Sequence, residues 1–105
     1  MTLLDFIFIC EYGQSRSRYF AIKLMRKGYT AAFCGVNKDS DIKCTDNLLC
    51  GSKVAVFLDK GAYKEFQRQY PKFPCTNAII FHIEDEPMLF NEKFSIFSKL
   101  LNKTD

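Results

Sequence analysis

Three residues near the N-terminus have the types and the spacing needed to bind an oxyanion and to attack it. Cys10 is followed by Arg16 and Ser17 in a segment that reads C-E-Y-G-Q-S-R-S. A cysteine thiolate is a strong nucleophile, and the planar guanidinium of an arginine can donate to two oxygens of one anion. The Ser17 hydroxyl can donate a hydrogen bond to the sulfur and stabilise the thiolate. The segment therefore predicts an anion site that contains its own nucleophile.

The sequence on either side predicts a strand before this segment and a helix after it. Leu3–Cys10 is a short apolar run rich in Ile and Phe, which is typical of a strand buried on both faces. Helical periodicity follows, and Arg16 falls at the helix start. A strand–loop–helix turn directs successive backbone N–H groups and the positive end of the helix dipole into one concavity. The predicted anion-contacting residues are Glu11, Tyr12, Gly13, Gln14, Ser15 and Arg16, with Gly13 supplying a positive φ.

Helices are predicted wherever an apolar stripe at helical spacing meets a capping residue. The first carries Phe20, Leu24 and Met25 on its apolar face and ends at Gly28. Thr45-Asp46 caps a brief second helix that ends at Gly51. The third is capped by Asp59, carries Ala62, Phe66 and Tyr70, and stops at Pro71. The last carries the stripe Phe90, Phe94, Phe97 and Leu101.

Three further strands complete the predicted architecture: Thr30–Cys34, Val54–Leu58 and Ala78–Ile83. Four strands that alternate with four helices predict an α/β fold, a small three-layer α/β/α sandwich with a four-stranded parallel sheet in a flavodoxin-like arrangement. A chain of 105 residues is expected to form a single domain over residues 1–105. In such a sheet, ligands bind at the carboxyl ends of the strands, which is where Cys10 stands.

Composition narrows the classes of partner and of site. A net charge of +3 suits an anionic ligand but is too small to predict nucleic-acid binding. No apolar run is long enough to cross a membrane and no signal peptide is recognisable, so a cytoplasmic protein is expected. With one histidine, His82, and no C-x-x-C pair, no metal site or cofactor is predicted. The thiols outside the loop, predicted to be reduced core or boundary residues, are Cys34, Cys44, Cys50 and Cys75.

The segment Cys10–Ser17 resembles the C-x5-R-[ST] loop of protein tyrosine phosphatases. Its place after the first strand resembles the low-molecular-weight class, and especially the short predicted tyrosine phosphatases of bacteria and phages. Two further segments are similar to that family: Asp46–Leu49 followed by Val54–Leu58 resembles its helix–strand unit, and Ile83–Met88 resembles the acidic loop after its last strand. The resemblance covers most of the chain and implies a phosphotyrosine phosphatase I-like fold.

The resemblance also implies a two-step hydrolysis of phosphate monoesters. Cys10 would attack phosphorus to give a cysteinyl-phosphate, with Arg16 and Ser17 assisting, and water would then release phosphate. Asp85 is the candidate general acid, with Glu84 second. The implied substrate is a phosphorylated protein, with phosphotyrosine first, or a small phosphoester. Phosphate or vanadate is the expected site ligand, and the expected oligomeric state is a monomer.

Departures from the family pattern leave other functions open. Arg18-Tyr19 stands where full-length members have a proline, the Asp-Pro-Tyr-Tyr type of acid motif is missing, and Glu11 adds a negative charge beside the anion site. A phosphate-binding pseudophosphatase with weak or lost catalysis is therefore the alternative. Arsenate reduction would need two further relay cysteines late in the chain, where only Cys75 lies. A phosphocarrier of the sugar-transport type would not need Arg16.

Overall fold

The computed structural model describes residues 4–73 and 77–103, and within them a four-stranded parallel sheet forms the centre of the molecule. Its strands are β1 (Leu4–Cys10), β2 (Ala31–Gly35), β3 (Ser52–Phe57) and β4 (Ala78–Ile80). They lie in the order β2-β1-β3-β4, which is the flavodoxin-like arrangement. The predicted fold class, an α/β sandwich on a four-stranded parallel sheet, is confirmed.

Within the described ranges, four helices cover the two faces of the sheet. They are α1 (Arg16–Arg26), α2 (Asp46–Cys50), α3 (Lys60–Gln69) and α4 (Phe90–Lys103), the last entered through a 3-10 turn at Pro87–Leu89. Buried residues of α1 and α4 share one core, and those of α2 and α3 share the other. No helix in the described ranges is long and apolar enough to span a membrane.

Strand β1 runs through the middle of the sheet because both of its faces are apolar. Phe6 and Phe8 point into the core under α1 and α4, whereas Ile7 and Ile9 point into the core under α2 and α3. This alternation follows from the two-residue period of a strand. The predicted burial of β1 on both faces is confirmed, and its last residue, Cys10, lies at the carboxyl edge of the sheet beside Gly35 of β2.

The first and last helices join through aromatic side chains. Phe20 of α1 is fully buried, and its ring centroid lies 5.4 Å from that of Phe94 and 5.7 Å from that of Phe97 on α4. Such edge-to-face pairs add to the hydrophobic burial. The predicted α4 stripe is thus confirmed. The placement of Met25 on the buried face of α1 is wrong, because 44% of its surface is exposed while the turn of the helix directs Ala21 and Leu24 inward.

The predicted helix caps are present. Thr45 Oγ1 accepts a hydrogen bond from the Leu48 N–H at 3.3 Å, and Asp59 Oδ1 accepts one from the Gly61 N–H at 2.8 Å. Gly28 follows the end of α1 with φ +99°, so a left-handed residue terminates this helix as predicted.

The strand bounds differ from their predictions. β2 covers Ala31–Gly35 instead of Thr30–Cys34, and β3 covers Ser52–Phe57 instead of Val54–Leu58. Leu3, the predicted start of the first strand, lies outside the described residues. The largest difference is at the end of β4. β4 ends at Ile80, so extending this strand to Ile83 is wrong. β4 is an edge strand that pairs with β3 alone, and the chain after it leaves the regular ladder toward the carboxyl edge of the sheet. Two backbone hydrogen bonds nevertheless tie that segment to β3 and the residue after it: Phe81 donates to Phe57 at 2.9 Å, and Ile83 donates to Leu58 at 3.0 Å.

The thiols outside the loop fall into two environments. Cys34 and Cys44 are completely buried in the core under α2 and α3, as predicted. A hydrogen bond with Cys44 and burial both raise the pKa of the Cys34 thiol. Cys50 at the end of α2 is exposed, so its prediction as a core or boundary residue is wrong. Cys75 lies outside the described residues.

Candidate active site

The sulfur of Cys10 lies at the centre of the loop that joins β1 to α1. The thiol is 2% exposed and receives a hydrogen bond from the backbone N–H of Gly13 at 3.2 Å. The Ser17 hydroxyl, on the first turn of α1 and fully buried, lies 3.1 Å from the same sulfur. Both groups are donors to a thiolate, so the loop is arranged to stabilise negative charge on sulfur.

Two glycines allow the loop to pack tightly against the end of β2. Gly13 has φ +70°, and a Cβ there would lie 2.6 Å from the carbonyl carbon of Cys34. At Gly35 a Cβ would lie 2.3 Å from the carbonyl carbon of Tyr12 and 2.6 Å from the Gly13 nitrogen. Real Cβ atoms do not approach so closely. Backbone therefore meets backbone here, and β2 fixes the curvature of the loop.

Hydrogen bonds from the segment after β2 hold the outer part of the loop. The Val36 N–H donates to the Cys10 carbonyl at 3.1 Å, and the Asn37 N–H donates to the Glu11 carbonyl at 2.8 Å. By contrast, the backbone N–H groups of Tyr12, Gln14 and Ser15 have no hydrogen-bond partner within the described part of the chain. These N–H groups are the donors that an anion would engage.

Arg16 is the first residue of α1 and is 8% exposed. Its Nη1 donates to the carbonyl of Ile83 at 3.0 Å, and its Nη2 lies 3.3 Å from Asp59 Oδ2. Its Nε is buried and has no hydrogen-bond partner among the residues that the structure describes. A buried donor without a partner is energetically unfavourable. The guanidinium is thus held in place on one side and keeps a donor for a ligand on the other.

Asp59 holds Arg16, a role that the sequence-based analysis missed. The prediction that Asp59 caps α3 is correct, but the second carboxylate oxygen also pairs with Arg16. Asp59 follows β3, the neighbour of β1 in the sheet. Parallel strands end at the same edge, so the position of Asp59 after β3 was the signal available in the sequence.

The acidic segment before α4 reaches the loop through Asp85. Its Oδ1 accepts a hydrogen bond from the Ser15 hydroxyl at 2.9 Å. Glu84 has a different environment: its carboxylate lies 3.1 Å from His82 Nε2. Of the two acids weighed from the sequence, Asp85 is therefore the one beside Cys10.

His82 has polar partners on both ring nitrogens. Its Nδ1 accepts a hydrogen bond from the Lys60 N–H at 3.1 Å, so Nε2 carries the proton and donates to Glu84. The ring is partly exposed, so the prediction that it is satisfied is correct, but the prediction that it packs inside a strand is wrong. No group of His, Cys, Asp and Glu within residues 4–73 and 77–103 is arranged to hold a metal ion.

A cavity of about 170 Å³ opens over the sulfur. The residues lining it are Cys10, Glu11, Tyr12, Gln14, Ser15, Arg16 and Asp85. We call this hollow the loop cavity. It combines a nucleophile, a guanidinium with a free donor, unpaired backbone N–H groups and a carboxylic acid. That set can bind a tetrahedral oxyanion, attack it and exchange a proton with its leaving group.

Comparison with known proteins identifies the fold. No protein-family model matches the sequence, and no curated protein matches it significantly. Among solved structures, a mutant of YwlE from Bacillus subtilis is 13% identical with a TM-score of 0.64, and the match covers 93% of each chain. The tyrosine phosphatase AmsI from Erwinia amylovora is 12% identical with a TM-score of 0.66, covering 93% of this chain and 88% of AmsI.

A third similar structure is the YwlE arginine phosphatase as a cysteine-to-serine mutant with a phosphorylated active-site serine. It is 12% identical with a TM-score of 0.63, covering 93% of this chain and 91% of that one. Likeness at this level of identity establishes a shared fold, and it agrees with the resemblance found in the sequence. The chain has the fold of the low-molecular-weight protein tyrosine phosphatases.

Proposed function

We propose that this protein is a cysteine-dependent phosphatase that hydrolyses phosphate monoesters through a cysteinyl-phosphate, with protein phosphotyrosine as its first candidate substrate. One observation carries the proposal: Cys10 and the buried Arg16, whose Nε has no partner among the described residues, line the same small cavity. A fold shared with a tyrosine phosphatase and an arginine phosphatase supports it.

In the first step, the Cys10 thiolate attacks phosphorus opposite the leaving oxygen. The S–P bond forms as the P–O bond breaks, and Asp85 donates its proton to the departing oxygen. The hydrogen bonds from Gly13 and Ser17 stabilise the sulfur as an anion before attack. They stabilise it again when it departs in the second step.

In the second step, water attacks phosphorus and the S–P bond breaks. The Asp85 carboxylate, now ionised, takes a proton from that water, and inorganic phosphate leaves with Cys10 restored as thiolate. Throughout both steps, the Arg16 Nε and the free loop N–H groups stabilise the charge on the equatorial oxygens. Preorganised donors of this kind are often the largest catalytic contribution, because they need no rearrangement as charge moves.

The sheet and its loops keep these groups in place without a substrate. Asp59 and the Ile83 carbonyl orient the guanidinium of Arg16, and the Ser15 hydroxyl orients Asp85. Positioning of reacting groups lowers the entropic cost of reaction. The proposed phosphatase mechanism thus depends on Asp59 and Ser15 as well as on the residues that contact the phosphoryl group.

Hydrolysis of p-nitrophenyl phosphate tests the proposal. We expect turnover that Cys10→Ser abolishes and that Asp85→Asn lowers by about 100-fold, the usual contribution of a general acid. Glu84→Gln is the matched control, because it makes the same change one residue away and outside the loop cavity. Turnover that persists in Cys10→Ser would refute the mechanism.

The alternative is a pseudophosphatase that binds phosphate or phosphotyrosine without turning it over. The carboxylate of Glu11 favours it, because a negative charge beside the anion site opposes both the thiolate and a phosphate dianion. Binding of vanadate by wild type, with no hydrolysis of p-nitrophenyl phosphate or of a phosphotyrosine peptide, would support this alternative.

A further inference from the structure

A second hollow of about 410 Å³ adjoins the loop cavity. It lies between the segment after β2 and α3, from Asp59 before this helix to Gln69 at its end, and we call it the flanking pocket. Its charged lining residues are Glu11, Lys38, Asp59 and Glu65. Glu11 lines the loop cavity as well, so this residue stands where the two hollows meet. A substrate with its phosphoryl group on Cys10 therefore passes Glu11 if it extends into the flanking pocket.

The three carboxylates of the flanking pocket differ in what already satisfies them. Asp59 pairs with Arg16. Glu65 accepts hydrogen bonds from Arg68 and Gln69, which lower its pKa to about 2. The carboxylate of Glu11 has no hydrogen bond or ion pair within the described part of the chain, although its backbone is fixed through its carbonyl. Glu11 thus presents an unpaired negative charge from a rigid main chain.

The Glu11 carboxylate disfavours binding of a phosphoryl group beside the Cys10 thiolate, unless the substrate brings a positive charge that pairs with it. Among the described residues that line the loop cavity, Arg16 is the one cation, and its guanidinium already pairs with Asp59. Its Nε is buried and has no partner among the described residues, and in the proposed function the phosphoryl oxygens bind beside this guanidinium. A phosphate dianion and a thiolate there would both be repelled by Glu11. Lys38, exposed in the segment after β2, forms no ion pair with Glu11 in the described part of the chain.

We propose that Glu11 and the flanking pocket form a subsite for a basic side chain of the substrate, so that phosphorylated segments with Lys or Arg beside the phosphorylated residue are preferred. This proposal rests on the phosphatase function proposed above. Glu11 would pair with the ammonium or guanidinium group, and the long apolar stem of Lys or Arg would pack along Val36 and Ala62 in the pocket wall.

The test compares phosphotyrosine peptides that differ at one neighbouring position, which carries Lys in one peptide and Gln in the other. For wild type we expect kcat/KM to favour the Lys peptide by about two- to fivefold, the range of a partly exposed ion pair, and salt near 0.5 M to reduce the ratio by screening. Glu11→Gln should bring the ratio to about one, while raising kcat/KM for p-nitrophenyl phosphate because repulsion of the dianion is removed.

Two control variants separate the subsite from a general charge effect. Glu92→Gln on α4 removes one negative charge outside both hollows and should leave the Lys/Gln ratio at its wild-type value. Lys38→Gln removes the cation of the flanking pocket and should keep or increase the ratio. A ratio that falls equally in Glu92→Gln and Glu11→Gln would overturn the subsite.

Binding to Cys10→Ser distinguishes failure of this inference from failure of the phosphatase function. If no peptide is hydrolysed but Cys10→Ser still binds the Lys peptide more tightly in a Glu11-dependent way, the subsite stands and the phosphatase function falls. Hydrolysis with a ratio of one in wild type would overturn the subsite alone. A third result would also overturn the subsite: hydrolysis of a phosphoarginine peptide with neutral neighbours that depends on Glu11, together with no Lys preference among the phosphotyrosine peptides. In that case, Glu11 would recognise the phosphorylated arginine side chain and not a neighbouring residue.

Discussion

The contact between Gly35 and the loop that joins β1 to α1 predicts a large loss of the proposed activity from the addition of one methyl group. In Gly35→Ala, the new Cβ would lie 2.3 Å from the Tyr12 carbonyl carbon, 2.4 Å from Ser40 Oγ and 2.6 Å from the Gly13 nitrogen. The Ser40 side chain can rotate away, but the loop backbone cannot. To restore an ordinary contact, the loop must move by roughly 1 Å, and displacements of that size can lower catalysis by about 100-fold.

The overpacking should also lower the free energy of unfolding by about 1–3 kcal/mol. Steady-state kinetics with p-nitrophenyl phosphate measures the first effect, and chemical denaturation measures the second. Gly51→Ala is the matched control, because the nearest atom to its new Cβ is 3.5 Å away, and it should retain wild-type kcat/KM. Wild-type kcat/KM in Gly35→Ala would refute the inference that β2 fixes the shape of the loop.

Three further predictions concern stability and exposure. Phe20→Ala should lower the free energy of unfolding by about 3–5 kcal/mol because it empties a fully buried site, whereas Met25→Ala at an exposed site should change it by less than about 0.5 kcal/mol; equal losses would contradict the burial. Hydrogen bonds from Arg68 hold the pKa of Glu65 near 2, below its ordinary 4.5, so this pair stabilises the fold above pH 4.5 and the contribution is lost as pH falls toward 2. The free energy of unfolding of Arg68→Gln, measured by chemical denaturation, should therefore differ from that of wild type at neutral pH and approach it in acid. A difference that stays constant with pH would argue against a contribution from this pair. Cys50 should react with a thiol reagent in the folded protein, with the labelled residue identified by mass spectrometry. Labelling of Cys34 or Cys44 without unfolding would contradict their burial.

The sequence predicted the fold well because its signals were local. The Ile- and Phe-rich run of β1, the capping residues Thr45 and Asp59, and the phenylalanine stripe of α4 each specify an element within a short window. The alternation of strands with helices then left few topologies. The misplaced end of β4 and the exposure of Met25 had no such signal, because both depend on which neighbour covers a residue.

The residues of the candidate site that lie in one continuous segment could be predicted from the sequence. The contacts between segments that are distant in sequence could not. Cys10, Arg16 and Ser17 were found from their spacing, and the structure brings them together. The pairing of Arg16 with Asp59 joins residues far apart in sequence, and its recognition requires the order of the strands. The same holds for the backbone contact of Gly35 with the loop, which glycine identity alone does not reveal.

The central claim is that the loop binds a phosphoryl group and that Cys10 is the nucleophile. A crystal structure with bound vanadate tests this claim most directly. Vanadate adopts the geometry of the phosphoryl group during transfer. We predict vanadium bonded to the Cys10 sulfur, with its equatorial oxygens accepting hydrogen bonds from the loop N–H groups and from the Arg16 Nε that now lacks a partner. Vanadate bound elsewhere, or bound in the loop cavity without contact to both Cys10 and Arg16, would contradict it.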